Sequence, residues 1–212
     1  MEITWFGHAC FRLRAREATV VADPYENGSG YPALKLNANV VSVSHADPKH
    51  NAAALITGSP RVVDRPGEYE IANVPIVGVR TYQDRDKGGT LGKNVSFVYT
   101  LEEMQVGHLG NLGHVPNAEQ AEALTSLDVL LIPVGGRVTI DAKLAVETIS
   151  LLQPRLVIPM HYQTGREKED LDGVDRFLKE MGLTPSEPQP RLSVTRSSLP
   201  DSPQVIVLSA PA

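Results

Sequence analysis

A β-branched run, Val40, Val41 and Val43, leads directly into Ser44-His45-Ala46-Asp47-Pro48-Lys49-His50, and this transition constrains the fold more than any other stretch. Apolar β-branched residues bounded by polar turn formers read as a buried strand. His45 and His50 are therefore presented by the loop at a strand end, where binding and catalytic groups usually sit. Two neutral imidazoles with a carboxylate between them suit zinc or a similar divalent ion. Lys49 opposes that reading. An ammonium about 4 Å from a divalent ion is repelled by twice the unit-charge figure of about 4 kcal/mol at an effective dielectric near 20. The side chain must point away, lose its proton, or take the position of a metal. Asp47-Pro48 also reads as a helix start, with the carboxylate as N-cap and proline at the first helical position. That reading predicts a helix from Pro48 to Ile56 and favours Asp47 as cap over Asp47 as ligand. The macrodipole then disfavours Lys49 in the first turn, and Asp47 is its nearest candidate partner.

The first half otherwise reads as short strands, Ile3 to Phe6, Cys10 to Leu13, Thr19 to Ala22, Val40 to Ser44, Arg61 to Asp64, Tyr69 to Ile71 and Val74 to Thr81. The charged, glycine-containing stretch Asp84 to Lys93 predicts a mobile loop with Gln83 at its base. Val95 to Thr100 and Met104 to His108 form a hairpin through Leu101-Glu102-Glu103. Asn117 and Asp141 each precede a helical pattern and are read as N-caps. The second helix places Ala142, Ala145, Val146, Ile149 and Leu152 on one face. Val129 to Pro133 and Leu156 to Pro159 are apolar enough to be buried strands, the latter ending at His161. Glu167 to Met181 reads as an amphipathic helix stopped by Gly182, and Val205 to Leu208 as a returning strand.

With 212 residues and 42% hydrophobic composition, the chain reads as one domain, 1–212. The formal net charge is −5, with the basic residues dispersed along the sequence, which argues against a nucleic-acid backbone as partner. No apolar stretch approaches the roughly 20 residues of a membrane span. Cys10 is the single cysteine and no charged-then-apolar leader precedes Ile3, so a cytoplasmic location is expected. Cys10 itself reads as a small buried hydrophobe.

Several landmarks occur in a characteristic order: Gly7-His8-Ala9-Cys10, Ala22-Asp23-Pro24, the His45 to His50 loop, and Pro66-Gly67-Glu68-Tyr69-Glu70. They continue with His108-Leu109-Gly110-Asn111-Leu112-Gly113-His114, Pro133-Val134-Gly135-Gly136 and Pro159-Met160-His161. In this order the chain resembles the metallo-β-lactamase fold hydrolases, particularly the branch that includes ascorbate-6-phosphate lactonase. The resemblance implies an α+β fold, a four-layer αββα sandwich in which two mixed sheets are flanked by helices. It implies metal ligands at His45, Asp47, His50 and His161, and pocket or supporting roles for His8, Asp23, Lys49, Gln83, Asn111 and His114. His108, in a strand, reads as structural.

The departures from the family pattern all run one way. Where the family loop reads His-x-His-x-Asp-His, this chain has Asp47 for the second His and Lys49 for the Asp, Gln83 stands at a His position, and Asn111 replaces the bridging Asp. By resemblance one metal would sit on His45, Asp47 and Gln83, the other on Lys49, His50 and His161. Neutral amides are poor zinc ligands, and Asp47 and Lys49 cancel without any metal. The expectation is therefore a degenerate dinuclear site with no metal, or one weakly bound zinc or manganese ion, and a pocket for a small, possibly anionic molecule. The alternative is an active hydrolase of an ester, lactone or phosphoester with one residual metal, in which Asp47, His50 and His161 are the catalytic candidates. A small-molecule ligand or substrate is the expected partner, with no nucleic acid and no membrane, and the oligomeric state is left open.

Overall fold

A computed structural model describes residues 1–211. In chain order its strands are β1 (Glu2–Gly7), β2 (Cys10–Arg14), β3 (Thr19–Ala22), β4 (Val40–Ser42), β5 (Arg61–Val63), β6 (Gly67–Ile71), β7 (Val74–Tyr82), β8 (Lys93–Leu101), β9 (Met104–His108), β10 (Val129–Pro133), β11 (Leu156–Met160), β12 (Leu192–Ser193) and β13 (Gln204–Val205). The helices are α1 (Ala118–Ala123), α2 (Ala142–Leu152) and α3 (Val174–Glu180). One sheet runs β12-β1-β2-β3-β4-β5 and the other β13-β11-β10-β9-β8-β7-β6. Both are mixed: β3, β4 and β5 are mutually parallel beside the antiparallel β1–β2–β3 ladder, and β9, β10, β11 and β13 are parallel beside antiparallel β6 to β9.

The period-2 geometry of strands sorts side chains to two faces. Phe11, Leu13, Val20 and Val40 point between the sheets, where they join Trp5, Phe97, Tyr99 and Leu131 in the main core. Their sequence neighbours Cys10, Val21 and Val41 point the other way and pack with Tyr25, Leu36 and Ile56 in a second core. The irregular segment 24–38 supplies much of that outer layer, and α2 and α3 pack on each other beside the second sheet. Cys10 is fully buried and burial pushes its thiol pKa up, which removes the thiolate needed for reactivity.

Three predicted elements come out differently. The helix expected from Pro48 is absent. Asp47 Oδ1 accepts the Lys49 N–H at 2.9 Å and Asp47 O accepts the His50 N–H at 2.8 Å, a turn followed by a single 3₁₀ turn at Ala53–Leu55. Residues 24–26 capture the backbone instead: Ala52 N–H donates to Pro24 O and Glu26 N–H to Pro48 O. The helix expected from Glu167 begins only at Val174, because the acidic residues ahead of it are drawn to side chains elsewhere. The returning strand is short, β13, joined by a lone bridge between Gln189 and Leu208. By contrast the caps are local and form as read: Asn117 makes a reciprocal capping box with Gln120, and Asp141 accepts the Leu144 N–H.

The sheets are also joined by a buried polar strut, Ser42 Oγ to Tyr99 OH at 2.5 Å, from β4 to β8. Tyr99→Phe leaves the Ser42 hydroxyl buried without a partner, so unfolding free energy in urea should fall by about 1–3 kcal/mol with the far-ultraviolet dichroism unchanged. A change within error would show that the strut carries no net stability.

Candidate functional site

Three strands end at one edge of the sandwich in the same way. His8 follows β1 at φ 47°, Asp23 follows β3 at φ 44°, and His161 follows β11 at φ 52°. A left-handed conformation is uncommon for side-chain-bearing residues and persists where the surroundings impose it. Here the His161 N–H donates to His8 O at 2.9 Å, tying one sheet to the other. Gly7 precedes the first kink, and a Cβ there would run into the Tyr31 ring.

Asp23 organises what these ends present. Its carboxylate is fully buried and accepts three hydrogen bonds: Ser44 N–H on Oδ1 at 2.8 Å, and Ser44 Oγ–H and His50 Nδ1–H on Oδ2 at 2.5 and 2.8 Å. Burial opposes its ionisation, but the His50 hydrogen bond and the surrounding imidazoles outweigh burial and hold the pKa at about 2. Because the Ser44 hydroxyl proton is committed to Asp23, its oxygen accepts from His45 Nδ1 at 3.0 Å. One carboxylate thus sets the tautomers of two histidines, leaving Nε2 of each for a ligand. Ligating atoms of Asp23, His45 and His50 all lie within 4.8 Å of one another. With three hydrogen bonds already on its oxygens, Asp23 is an orienting group in this trio.

In front of Asp23 lies a cavity of about 230 Å³ lined by His45, His50, His8 and His161, with Asp47, Lys49, Gln83 and Asn111 opposite or beside them. The ring centroids run 4.3 Å from His45 to His50, 5.4 Å from His50 to His161 and 5.9 Å from His161 to His8. Burial, reinforced by the neighbouring imidazoles, lowers the His45 pKa to about 4 and that of His161 well below the ordinary histidine value; His8 is lowered chiefly by burial. Gly110 and Gly113 explain how Asn111 enters. Gly110 has φ 59° and a Cβ there would strike Ser44; a Cβ on Gly113 would strike the Gln83 carbonyl. That close approach lets Asn111 Nδ2 donate to Gln83 Oε1 at 2.8 Å, while Asn111 Oδ1 stays buried with no partner.

Lys49 does not pair with Asp47. Its ammonium meets the carboxylate of Glu169, a cavity residue that the sequence reading missed because it lay within a presumed helix. The run Glu167-Lys168-Glu169-Asp170 was a usable signal, since it is charged on every face of a helix meant to bury one. Glu167 is likewise occupied, accepting from Tyr31 OH and from Thr164 N–H. His114, expected to line or support the same cavity, lies outside it. Its Nε2 accepts the Tyr82 N–H at 3.2 Å and its Nδ1–H donates to Val115 O at 2.8 Å. His108 is fully buried and donates Nε2–H to Ala9 O.

Comparison with known proteins places this arrangement. The profile of the beta-lactamase superfamily domain matches residues 2–161. A crystal structure from Thermotoga maritima, described as a zinc-dependent hydrolase of the metallo-beta-lactamase superfamily, superposes with a TM-score of 0.84 at 41% identity, covering 99% of both chains. The chain belongs to the metallo-β-lactamase superfamily. Among metallo-β-lactamase relatives by sequence, a UPF0173 metal-dependent hydrolase from Methanopyrus kandleri is 27% identical over 86% of this chain and 94% of its own length. Another from Methanoculleus marisnigri is 30% identical over 77% and 82%. The isothiocyanate hydrolase from Delia radicum gut bacteria, at 15% identity and a TM-score of 0.67, shares the fold. No helix here is long and apolar enough to cross a membrane among the described residues.

Within this metallo-β-lactamase site, Asp23→Asn is the sharpest test of the orienting role, because asparagine tolerates the left-handed backbone. The amide cannot accept on both oxygens, so nitrogen NMR should show His45 or His50 changing tautomer, and stability should fall by about 1–3 kcal/mol. Unchanged tautomers would remove Asp23 from control of the ligand nitrogens.

Proposed function

We propose that this protein, acting as a single domain over residues 1–212, has lost the dinuclear metal centre of its superfamily and uses the histidine cavity to bind a small molecule. The observation that carries this reading is the Lys49 ammonium, which lies in the cavity closed on Glu169. The side chains are 42% and 28% exposed, so the pair adds at most about 1 kcal/mol of stability. Its consequence is positional: a cation stands where a second metal would need an anionic ligand. The amides of Gln83 and Asn111 are bonded to each other, which further reduces the donors available to two ions. The donor set does not fit a dinuclear zinc site. Because the Lys49 ammonium already has an anionic partner in Glu169, the occupant of this cavity is small and polar, with its charge matched to that pair.

One observation favours a second reading, a hydrolase with a single zinc or manganese ion. His45 and His50 keep the tautomers that free Nε2, and the unpartnered Nδ1 of buried His161 is nearby. An ion held by these residues would polarise a substrate oxygen and make bound water more acidic. Asp47, exposed at the cavity mouth, is then the carboxylate placed to take a proton.

Elemental analysis decides between the two. Protein purified without chelator, and again after equilibration with zinc or manganese and desalting, should carry almost no metal; about one retained ion per chain would overturn the metal-free reading and favour the single-metal hydrolase. The combined variant Asp47→His, Lys49→Asp, Gln83→His and Asn111→Asp should take up zinc tightly, because Asp23 still orients His45 and His50. Failure of a folded variant to do so would overturn the placement of these four positions in a vestigial metal site.

A further inference from the structure

A larger cavity, about 680 Å³, lies on the far side of the end of β7, between residues 84–92 and α1. Three cations line it: Arg80 from β7, and Arg85 and Lys87 from the loop. Among the described residues none of the three makes an ion pair, whereas Lys49, Arg137, Arg176 and Arg191 all do. Arg80, Arg85 and Lys87 lie within eight consecutive residues, in a chain whose formal net charge is −5.

The loop that carries two of these cations is internally fixed. Asp84 Oδ1 accepts the N–H groups of Asp86 and Gly88 at 2.9 and 2.8 Å, and Oδ2 those of Thr90 and Leu91 at 3.1 and 2.6 Å. Gln83 N–H closes the loop on Gly92 O at 3.1 Å. Of the two acids in the lining, Asp84 is therefore turned into its own loop and Glu119 is the other; Asp86, between Arg85 and Lys87 in the chain, is outside the lining. The rings of Tyr82 and His114, whose centroids are 5.7 Å apart, also line the cavity. With one nitrogen accepting from Tyr82 N–H and the other donating to Val115 O, His114 is a fixed ring surface.

We propose that this cavity binds a small molecule bearing an oxyanion group, phosphate or carboxylate, held by Arg80, Arg85 and Lys87 with its carbon frame against Tyr82 and His114. Guanidinium and ammonium groups recognise both kinds of oxyanion through charge-assisted hydrogen bonds. The volume suits a ligand of drug-like size, and three cations around one concavity fit a compact anion better than a polymer backbone. A third cavity of about 460 Å³ shares Pro66 and Arg80 with this one and His45 and Gln83 with the histidine cavity. A molecule anchored here by its anionic end has a path along the surface to the histidines. The anion site stands whether or not those histidines hold a metal.

Titration calorimetry on the full chain, with inorganic phosphate and separately with citrate at ionic strength balanced by potassium chloride, tests the site. Saturable binding is expected for at least one of them, and the preferred probe identifies the oxyanion. Arg85→Ala/Lys87→Ala, both at exposed loop positions, and Arg80→Ala should each weaken it about tenfold or more with unchanged melting temperature. Lys49→Ala should leave it intact. Absence of saturable binding at millimolar probe overturns the proposal. So does loss of binding in Lys49→Ala with retention in the loop double variant, which would move the anion to the histidine cavity. Binding of a single-stranded oligonucleotide without response to either small anion would also overturn it.

Discussion

The buried carboxylate of Asp23 is the constraint on which the rest of the site depends. A fully desolvated charge is tolerable only when its oxygens are well supplied with donors, and here Ser44 and His50 supply them. Satisfying that charge pulls His50 inward, holds the Ser44 backbone against β3, and passes a fixed tautomer to His45. The same pull denies the His45 to His50 loop its helix, because the backbone that would have propagated one is bonded to residues 24–26 instead. Ligand geometry and local secondary structure are consequences of one electrostatic requirement.

In front of Asp23 the cavity side chains bond to one another. Lys49 pairs with Glu169, and Asn111 Nδ2 donates to Gln83 Oε1 while Asn111 Oδ1 has no partner. Burial favours the neutral forms of His45 and His161.

The sandwich was legible because its signals are local or periodic. Val129 to Pro133 is buried along its whole length, and the side chains of Asn117 and Asp141 bond within their own helical turns. The elements that were misread are those whose bonding partners lie far away in sequence. Nothing adjacent to Pro48 reveals that Pro24 will take the Ala52 amide, and nothing near Glu169 names Lys49. The histidines could be found from motif spacing, but the partner of Lys49 exists only in three dimensions; Arg80, Tyr82, Arg85 and Lys87 are close in sequence, and folding adds His114 to them. The position of His114 outside the cavity has the same origin: its sequence neighbours line the site, while its own nitrogens are used by Tyr82 and Val115.

The backbone bond from His161 to His8 joins the two sheets at the cavity floor. His8, His45, Lys49 and His50 come from loops of the first sheet, and Gln83, Asn111, His161 and Glu169 from the second sheet's strand ends and the loops that follow. Neither sheet carries the cavity alone. Occupancy is therefore thermodynamically linked to docking of the sheets, and a ligand at one hundred times its dissociation constant adds about 2.7 kcal/mol to the free energy of unfolding. A compound that fits announces itself as resistance to heat, before any reaction has been identified.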